Sequence, residues 1–239
     1  MDKQTLRERI WDELEESGEA RFPFPPHGRI PNFAGARDAA DRLADTDAWR
    51  AAEVLKANPD APQLPVRRRA LHEGKVVYMA QPRLRDETPF MKLDPADIDE
   101  SNLDAAATVS KMDGYAEPVG PDAVPHVDLV VSGSVAVTEQ GARVGKGEGY
   151  SDLEFAVLSE LGTVDATTTV ATSVHELQVV AEDDAPAPDA HDVPMDLVAT
   201  PERLVRTDSP YPRPTGIDWD ALDEKRLDEI PVLGRFSPE

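Results

Sequence analysis

Between Gly145 and Asp152 the chain reads GKGEGYSD, three glycines alternating with Lys146 and Glu148 and then giving way to Tyr150, Ser151 and Asp152. Glycine tolerates the positive backbone dihedrals that other L residues avoid, so such a run can turn successive N–H groups toward one point. A concavity of that kind suits an oxyanion or a phosphate. Ser151 and Glu154 have capping-box spacing, which predicts a helix starting here with its positive dipole end facing the same loop. Lys146 would add a point charge to phosphate oxygens, and Asp152 could hold Mg²⁺, which takes oxygen ligands and keeps several waters. The GxxxxGK[ST] order of the P-loop and the GxGxxG order of dinucleotide folds are both absent. The same spacing also suits a flexible hairpin with a surface lysine.

The remaining chemistry-bearing residues point to less. With no cysteine, disulfides, thiolate catalysis and cysteine-based zinc sites are excluded. His27, Arg29 and Asn32 could form a polar site, although their proline-rich context equally suits a structural loop. His191 and Asp192 precede a predicted strand and fit a turn. No histidine pair has helical metal-ligand spacing, and no nucleophile elbow accompanies Ser132 or Ser134.

The elements that must position these residues alternate along the chain. Ile10, Trp11 and Leu14 put one apolar face on a first helix, which fails at Gly18 and the rigid FPFPPHGRIP segment. Helices are expected from Ala36 to Leu43 and from Trp49 to Leu55. KVVYMAQPRL reads as a strand cut short at Pro82, and HVDLVVSGSVAV as a near-continuous apolar run of the kind found in sheets covered on both faces. After the glycine loop come the helix DLEFAVLSEL, the strand-like TTTVATSVHELQVV, a mobile acidic connection DDAPAPDAHD, and the strand MDLVATP. This order predicts an α/β fold, a three-layer sandwich with a largely parallel sheet. Residues 1–205 would form the domain, and 206–239 a proline-rich, acidic tail packed on it.

The chain has 239 residues, 47 of them Asp or Glu against 25 Lys or Arg, for a formal charge of -22. That balance argues against nucleic acid or an anionic membrane as partner. Acidic side chains spread over turns and outer helix faces predict a halophilic protein, kept soluble in concentrated salt. The amino terminus is a charged helix without an apolar signal core, and no run of about 20 apolar residues follows. A cytoplasmic protein is the expectation, as a monomer or small homo-oligomer.

RVGKGEGYSD resembles the glycine-rich nucleotide loop of the 5-formyltetrahydrofolate cyclo-ligase (methenyltetrahydrofolate synthetase) family. KQTLR at the amino terminus, Glu53–Val54, and HDVPMDLVATP agree in the same order. Within that family HGRIPNF, PRLR, GSVAV and GKGEGY look like the methenyltetrahydrofolate synthase domain-containing branch.

The resemblance implies a fold related to the NagB/RpiA/CoA-transferase group, with ATP and Mg²⁺ as cosubstrates and a reduced folate as substrate. The implied reaction converts 5-formyltetrahydrofolate and ATP into 5,10-methenyltetrahydrofolate, ADP and phosphate. Carried over by position, Lys3 and Arg7 would neutralise ATP phosphates from one face of the first helix. Arg143, Gly145, Lys146, Gly147, Gly149 and Tyr150 would supply the phosphate loop, with Arg143 and Lys146 acting on the transferring group. Asp152 and Asp196 would hold the metal, and Glu53 and Tyr150 would contact the folate. Two departures from the family pattern, Ser151 in place of a second aromatic and the acidic Glu148, support an alternative. In that reading the chain is a diverged paralogue without cyclo-ligase activity, binding a nucleotide or acting in thiamin-related metabolism.

Overall fold

The segments VLKA, LVV, TVATS and LVA lack the polar–apolar alternation of half-exposed strands, and the computed structural model, which describes residues 1–81 and 84–236, shows why. They are the centre of an eight-stranded sheet buried on both faces. The strands are β1 (Ala20–Arg21), β2 (Asn32–Phe33), β3 (Val54–Ala57), β4 (Val76–Ala80), β5 (Phe90–Leu93), β6 (Glu117–Val119), β7 (Leu129–Val131), β8 (Ala136–Thr138), β9 (Arg143–Val144), β10 (Thr169–Ser173), β11 (Val179–Val180), β12 (Leu197–Ala199) and β13 (Leu204–Arg206). The helices are α1 (Lys3–Glu16), α2 (Ala36–Ala44), α3 (Asp47–Ala51), α4 (Leu64–His72), α5 (Leu103–Ala106), α6 (Tyr150–Glu160) and α7 (Glu224–Glu229).

The main sheet runs β13-β12-β10-β7-β3-β4-β5-β6. Its five central strands are parallel, and antiparallel strands close both edges. Leu55, Leu129, Val131 and Ala171 face one way, into a core shared with Leu43 of α2 and Val66 and Leu71 of α4. Val130, Val170 and Val198 face the other way, against Phe155 and Leu158 of α6. Ile217, Ile230, Val232 and Leu233 of the carboxyl-terminal segment are buried in that second core. The fold is therefore the expected α/β architecture with a largely parallel sheet and helices on both faces.

A small sheet, β11-β8-β9, carries α1 on its surface. Asp2 caps α1 by accepting from the Gln4 and Thr5 N–H groups, and Leu6, Ile10, Trp11 and Leu14 bury against Val135, Ala136 and Val144. Each such side chain contributes about 1.5–3 kcal/mol of transfer free energy. This packing sets Lys3 and Arg7 beside the loop that follows β9.

Several expectations are corrected. The predicted helix at Trp49–Leu55 stops at Ala51, because Val54–Ala57 bonds to strands on both sides as the middle of the sheet. HVDLVVSGSVAV breaks at Ser132–Ser134, so β7 joins the main sheet and β8 the small one. The connection expected to be mobile is pinned to α1: Arg9 donates to Asp184 at 3.1 Å, and Lys3 donates to Asp189 at 2.8 Å and Asp192 at 2.6 Å. The strand end expected at Pro82, with Arg83 after it, lies outside the described residues. Among the described residues no helix is long and apolar enough to cross a membrane.

Candidate functional site, two cavities sharing a glycine loop

Parallel strands bring all their carboxyl ends to one edge, where ligands of open α/β sheets bind. Here that edge presents Asn58 and Asp60 after β3, Gln81 after β4, and Ser132 and Gly133 after β7. The glycine loop between β9 and α6 lies across it and separates two cavities.

Gly149 starts α6 as its amino-terminal cap with φ +70°, and the expected Ser151–Glu154 capping box does not form. Ser151 Oγ instead donates to Asn58 Oδ1 and Ser132 Oγ, each at 3.3 Å, while Glu154 turns inward to Lys56. A side chain at Gly149 would also meet the Arg226 guanidinium at 3.2 Å. Gly147, at φ +102°, lies against the Arg7 guanidinium, with 3.3 Å left for a Cβ. Gly145 has no positive φ; it is confined by Arg143, whose Nη1 would lie 2.9 Å from a Cβ.

The first cavity, about 290 Å³, lies between α1, the loop and the first turn of α6. Lys3, Arg7, Arg143 and Arg226 bring four cationic groups to it, and Asp152, Asp192 and Asp218 three carboxylates. Arg143 is buried, donates Nη1 to the Gly133 carbonyl at 2.9 Å and pairs through Nη2 with Asp152. Burial pulls its pKa down, but Asp152 overcomes that and the net direction is up. Lys3 is likewise held charged by Asp189 and Asp192 against the pull of burial. Arg7 donates Nε to the Gly145 carbonyl at 2.7 Å, and Arg226 donates Nη2 to the Glu148 carbonyl at 2.6 Å. Among the described residues neither Arg7 nor Arg226 has a carboxylate within ion-pair distance. Their charge is therefore available to an anion, next to the amino-terminal dipole of α6.

The second cavity, about 340 Å³, lies on the other side of the loop. Tyr150, Ile30, Pro59 and Ala80 give it apolar surface, and Asn58, Asp60 and Gln81 give it polar groups. Asp60 forms no ion pair among the described residues, and burial pushes its carboxyl pKa up against nearby Lys146 and Arg67. Glu154 is also pushed up by burial, with Lys56 opposing. Arg143, Gly145, Gly149 and Asp152 line both cavities.

Three expected placements change. Lys146 lines the second cavity and pairs with Glu148 at 2.7 Å, so the loop's acid neutralises its own lysine and the first cavity draws its cations from elsewhere. Asp196 does not join Asp152. It precedes β12 at the opposite edge of the sheet, accepting from Arg213 Nη2 at 2.6 Å and the Val170 N–H at 2.7 Å. The residue that does accompany Asp152 is Asp192, four positions earlier. Glu53 precedes β3 at that same opposite edge and is exposed, away from both cavities. His27, Arg29 and Asn32 hold local structure, through Asp12, the Trp11 indole N–H and the Phe22 carbonyl respectively.

Sequence reasoning missed Asp60, Lys56, Glu154 and Arg226. NPDAP after an apolar VLKA was the available signal for Asp60, since an acid just past a buried parallel strand falls at the ligand edge. Nothing local marked Arg226, which lies 80 residues from Lys146 and reaches the loop only through folding.

Fold and site together define an α/β domain with a cavity lined by cationic side chains at the carboxyl ends of its parallel strands. The chain belongs to the 5-formyltetrahydrofolate cyclo-ligase family, whose sequence model matches residues 1–201. It is 44% identical over 231 residues to the mouse methenyltetrahydrofolate synthase domain-containing protein, covering 97% of this chain and 62% of the relative. The human protein of that name is 39% identical over 233 residues, covering 97% of this chain and 60% of the relative. The chain thus spans about three-fifths of the length of these relatives. The NMR structure of Aquifex aeolicus 5,10-methenyltetrahydrofolate synthetase shares the fold, with TM-score 0.53 and 18% identity over 93% of this chain and all of that one.

Proposed function

We propose that the chain is an ATP-dependent cyclo-ligase that converts 5-formyltetrahydrofolate to 5,10-methenyltetrahydrofolate, releasing ADP and phosphate. The observation that carries this reading is the shared wall: Arg143, Gly145, Gly149 and Asp152 face both cavities, so a group can pass from a ligand in one to a ligand in the other. The cationic cavity takes the nucleotide, with Lys3, Arg7 and the α6 amino terminus on its phosphates. The second takes the folate ring system, with Tyr150 and Ile30 as apolar surface and Asp60, Asn58 and Gln81 as hydrogen-bonding groups.

In this reading the formyl oxygen attacks the γ-phosphorus and ADP leaves; N10 then attacks the activated carbon, loses its proton, and phosphate departs with the former formyl oxygen. Such chemistry rests on positioning and charge neutralisation rather than on a protein nucleophile. Arg143, locked by Asp152 and the Gly133 carbonyl, is placed to neutralise charge on the transferring group. Asp152 and Asp192 both line this cavity and would offer oxygen ligands to Mg²⁺, which would screen phosphate charge when bound, although Asp152 is engaged by Arg143 and Asp192 by Lys3. Asp152 keeps Arg143 in place, and Asp192 orients Lys3.

The test is a thermal-shift titration with ATP and Mg²⁺, alone and with 5-formyltetrahydrofolate, followed by the near-ultraviolet absorbance of the methenyl product. Stabilisation by each ligand and product only with all three present is expected. Folded protein that binds ATP but forms no product would overturn the folate reaction. It would favour the diverged paralogue.

A further inference from the structure

The family match ends at residue 201, yet the wall of the first cavity does not. Asp218, Ala221, Leu222 and Arg226, all beyond that limit, line it opposite Leu153 and Ala156 of α6. The segment that carries them is held at both ends. On one side Ile217 is buried and its N–H donates to Glu160 at 3.0 Å; on the other Ile230, Val232 and Leu233 sit in the α6-side core. Between these anchors Asp223 caps α7 by accepting from the Arg226 N–H at 2.8 Å, which fixes where that side chain leaves the helix.

Arg226 reaches the carboxyl end of the glycine loop, as Arg7 reaches its amino end. Its Nη2 donates to the Glu148 carbonyl, and its guanidinium lies 5.4 Å from the centroid of the Tyr150 ring. In a chain of charge -22 it has no carboxylate within ion-pair distance among the described residues. A guanidinium offers five donors in a planar fork, so those not spent on Glu148 remain for a ligand.

We infer that Arg226 is a phosphate-positioning residue of the nucleotide cavity, supplied by a carboxyl-terminal strap outside the family-matched region. Arg7 and Arg226 then hold the two ends of the glycine loop and the phosphate chain between them. The inference rests on the nucleotide reading of that cavity, and a loop-bracing role is its competitor.

The experiment is calorimetric titration of wild type, R226Q and R226K with ATP, AMP and inorganic triphosphate. Charge-assisted bonds to phosphate lead us to expect a loss of about 10–100-fold for ATP and triphosphate in R226Q, with AMP changed less than about threefold. R226K, which keeps the charge but not the fork, should fall between. Equal losses for ATP and AMP, or unchanged ATP affinity in R226Q, would overturn the inference and leave the nucleotide reading standing. Wild type that binds triphosphate in an Arg226-dependent way but not ATP would support the role of Arg226 and overturn the nucleotide reading. Wild type that binds neither would overturn both.

Discussion

The two cavities beside the glycine loop satisfy their charges in opposite ways. In the first, Arg7 and Arg226 rest on backbone carbonyls and keep their charge for a ligand, while Lys3 and Arg143 are paired with carboxylates. In the second, the cations are spent internally, Lys56 on Glu154 and Lys146 on Glu148, and the group left without an ion pair is the acid Asp60. On the proposed reading, one side receives an anion and the other hydrogen-bond donors on an apolar body. A net acidic chain achieves this by choosing which charges meet inside it, since overall charge fixes only the average field.

The largest expected effect probes the closed pair of the second cavity. Lys56→Met leaves Glu154 buried without its partner and should cost about 3–5 kcal/mol in urea denaturation. The double change K56M/E154M should recover most of that, because a buried ion pair replaced by apolar groups is near neutral. Equal losses in the single and double variants would show that the two charges do not act as a unit.

Next in size is the contrast between two aspartates. Asp192→Asn should lower ATP-dependent turnover by about 10–100-fold, the scale of changes around a metal site, whereas Asp196→Asn should leave turnover within about twofold. Steady-state rates of folded protein decide between the placements, and a large loss in D196N with none in D192N would reverse them.

Asp60 offers a pH signature. Its folded pKa is raised above the ordinary 3.8, so the folded state holds a proton that the unfolded state has lost, and stability falls as pH climbs from about that value through the raised one. Asp60→Asn removes this penalty. The variant should gain on the order of 1 kcal/mol, about 2–4 °C in Tm, at neutral pH and little below pH 4. It should also bind the folate ligand more weakly; a Tm gain independent of pH would contradict the assignment.

The smallest effect concerns the surface. Repulsion among the excess acids is screened over about 10 Å at 0.1 M salt and about 3 Å at 1 M, so Tm should rise as KCl approaches molar concentrations. A flat or falling Tm would remove the halophilic expectation and leave the contrast between the cavities intact.

The alternation of apolar segments, the apolar face of α1 and the glycine run were legible in the sequence, because each depends on residues a few positions apart. Lys3, Arg7, Arg143 and Asp152, named together through the resemblance they carry, line one cavity. What the sequence could not decide was where the strands begin and how they pair, and hence which acids fall at the ligand edge of the sheet. Asp192 and Asp196 stand four apart in one acidic stretch, but one reaches the cavity and the other opens β12 at the far edge, where Arg213 holds it. Glu53 and Asp60 bracket β3 in the same manner, and only the later one faces a ligand space. Parallel pairing sorts residues by strand end, and that pairing is a long-range arrangement absent from any local window. The same holds for Arg226, brought to Tyr150 and Glu148 by a segment whose own anchors, Ile217, Ile230 and Leu233, find their burial only once α6 is packed.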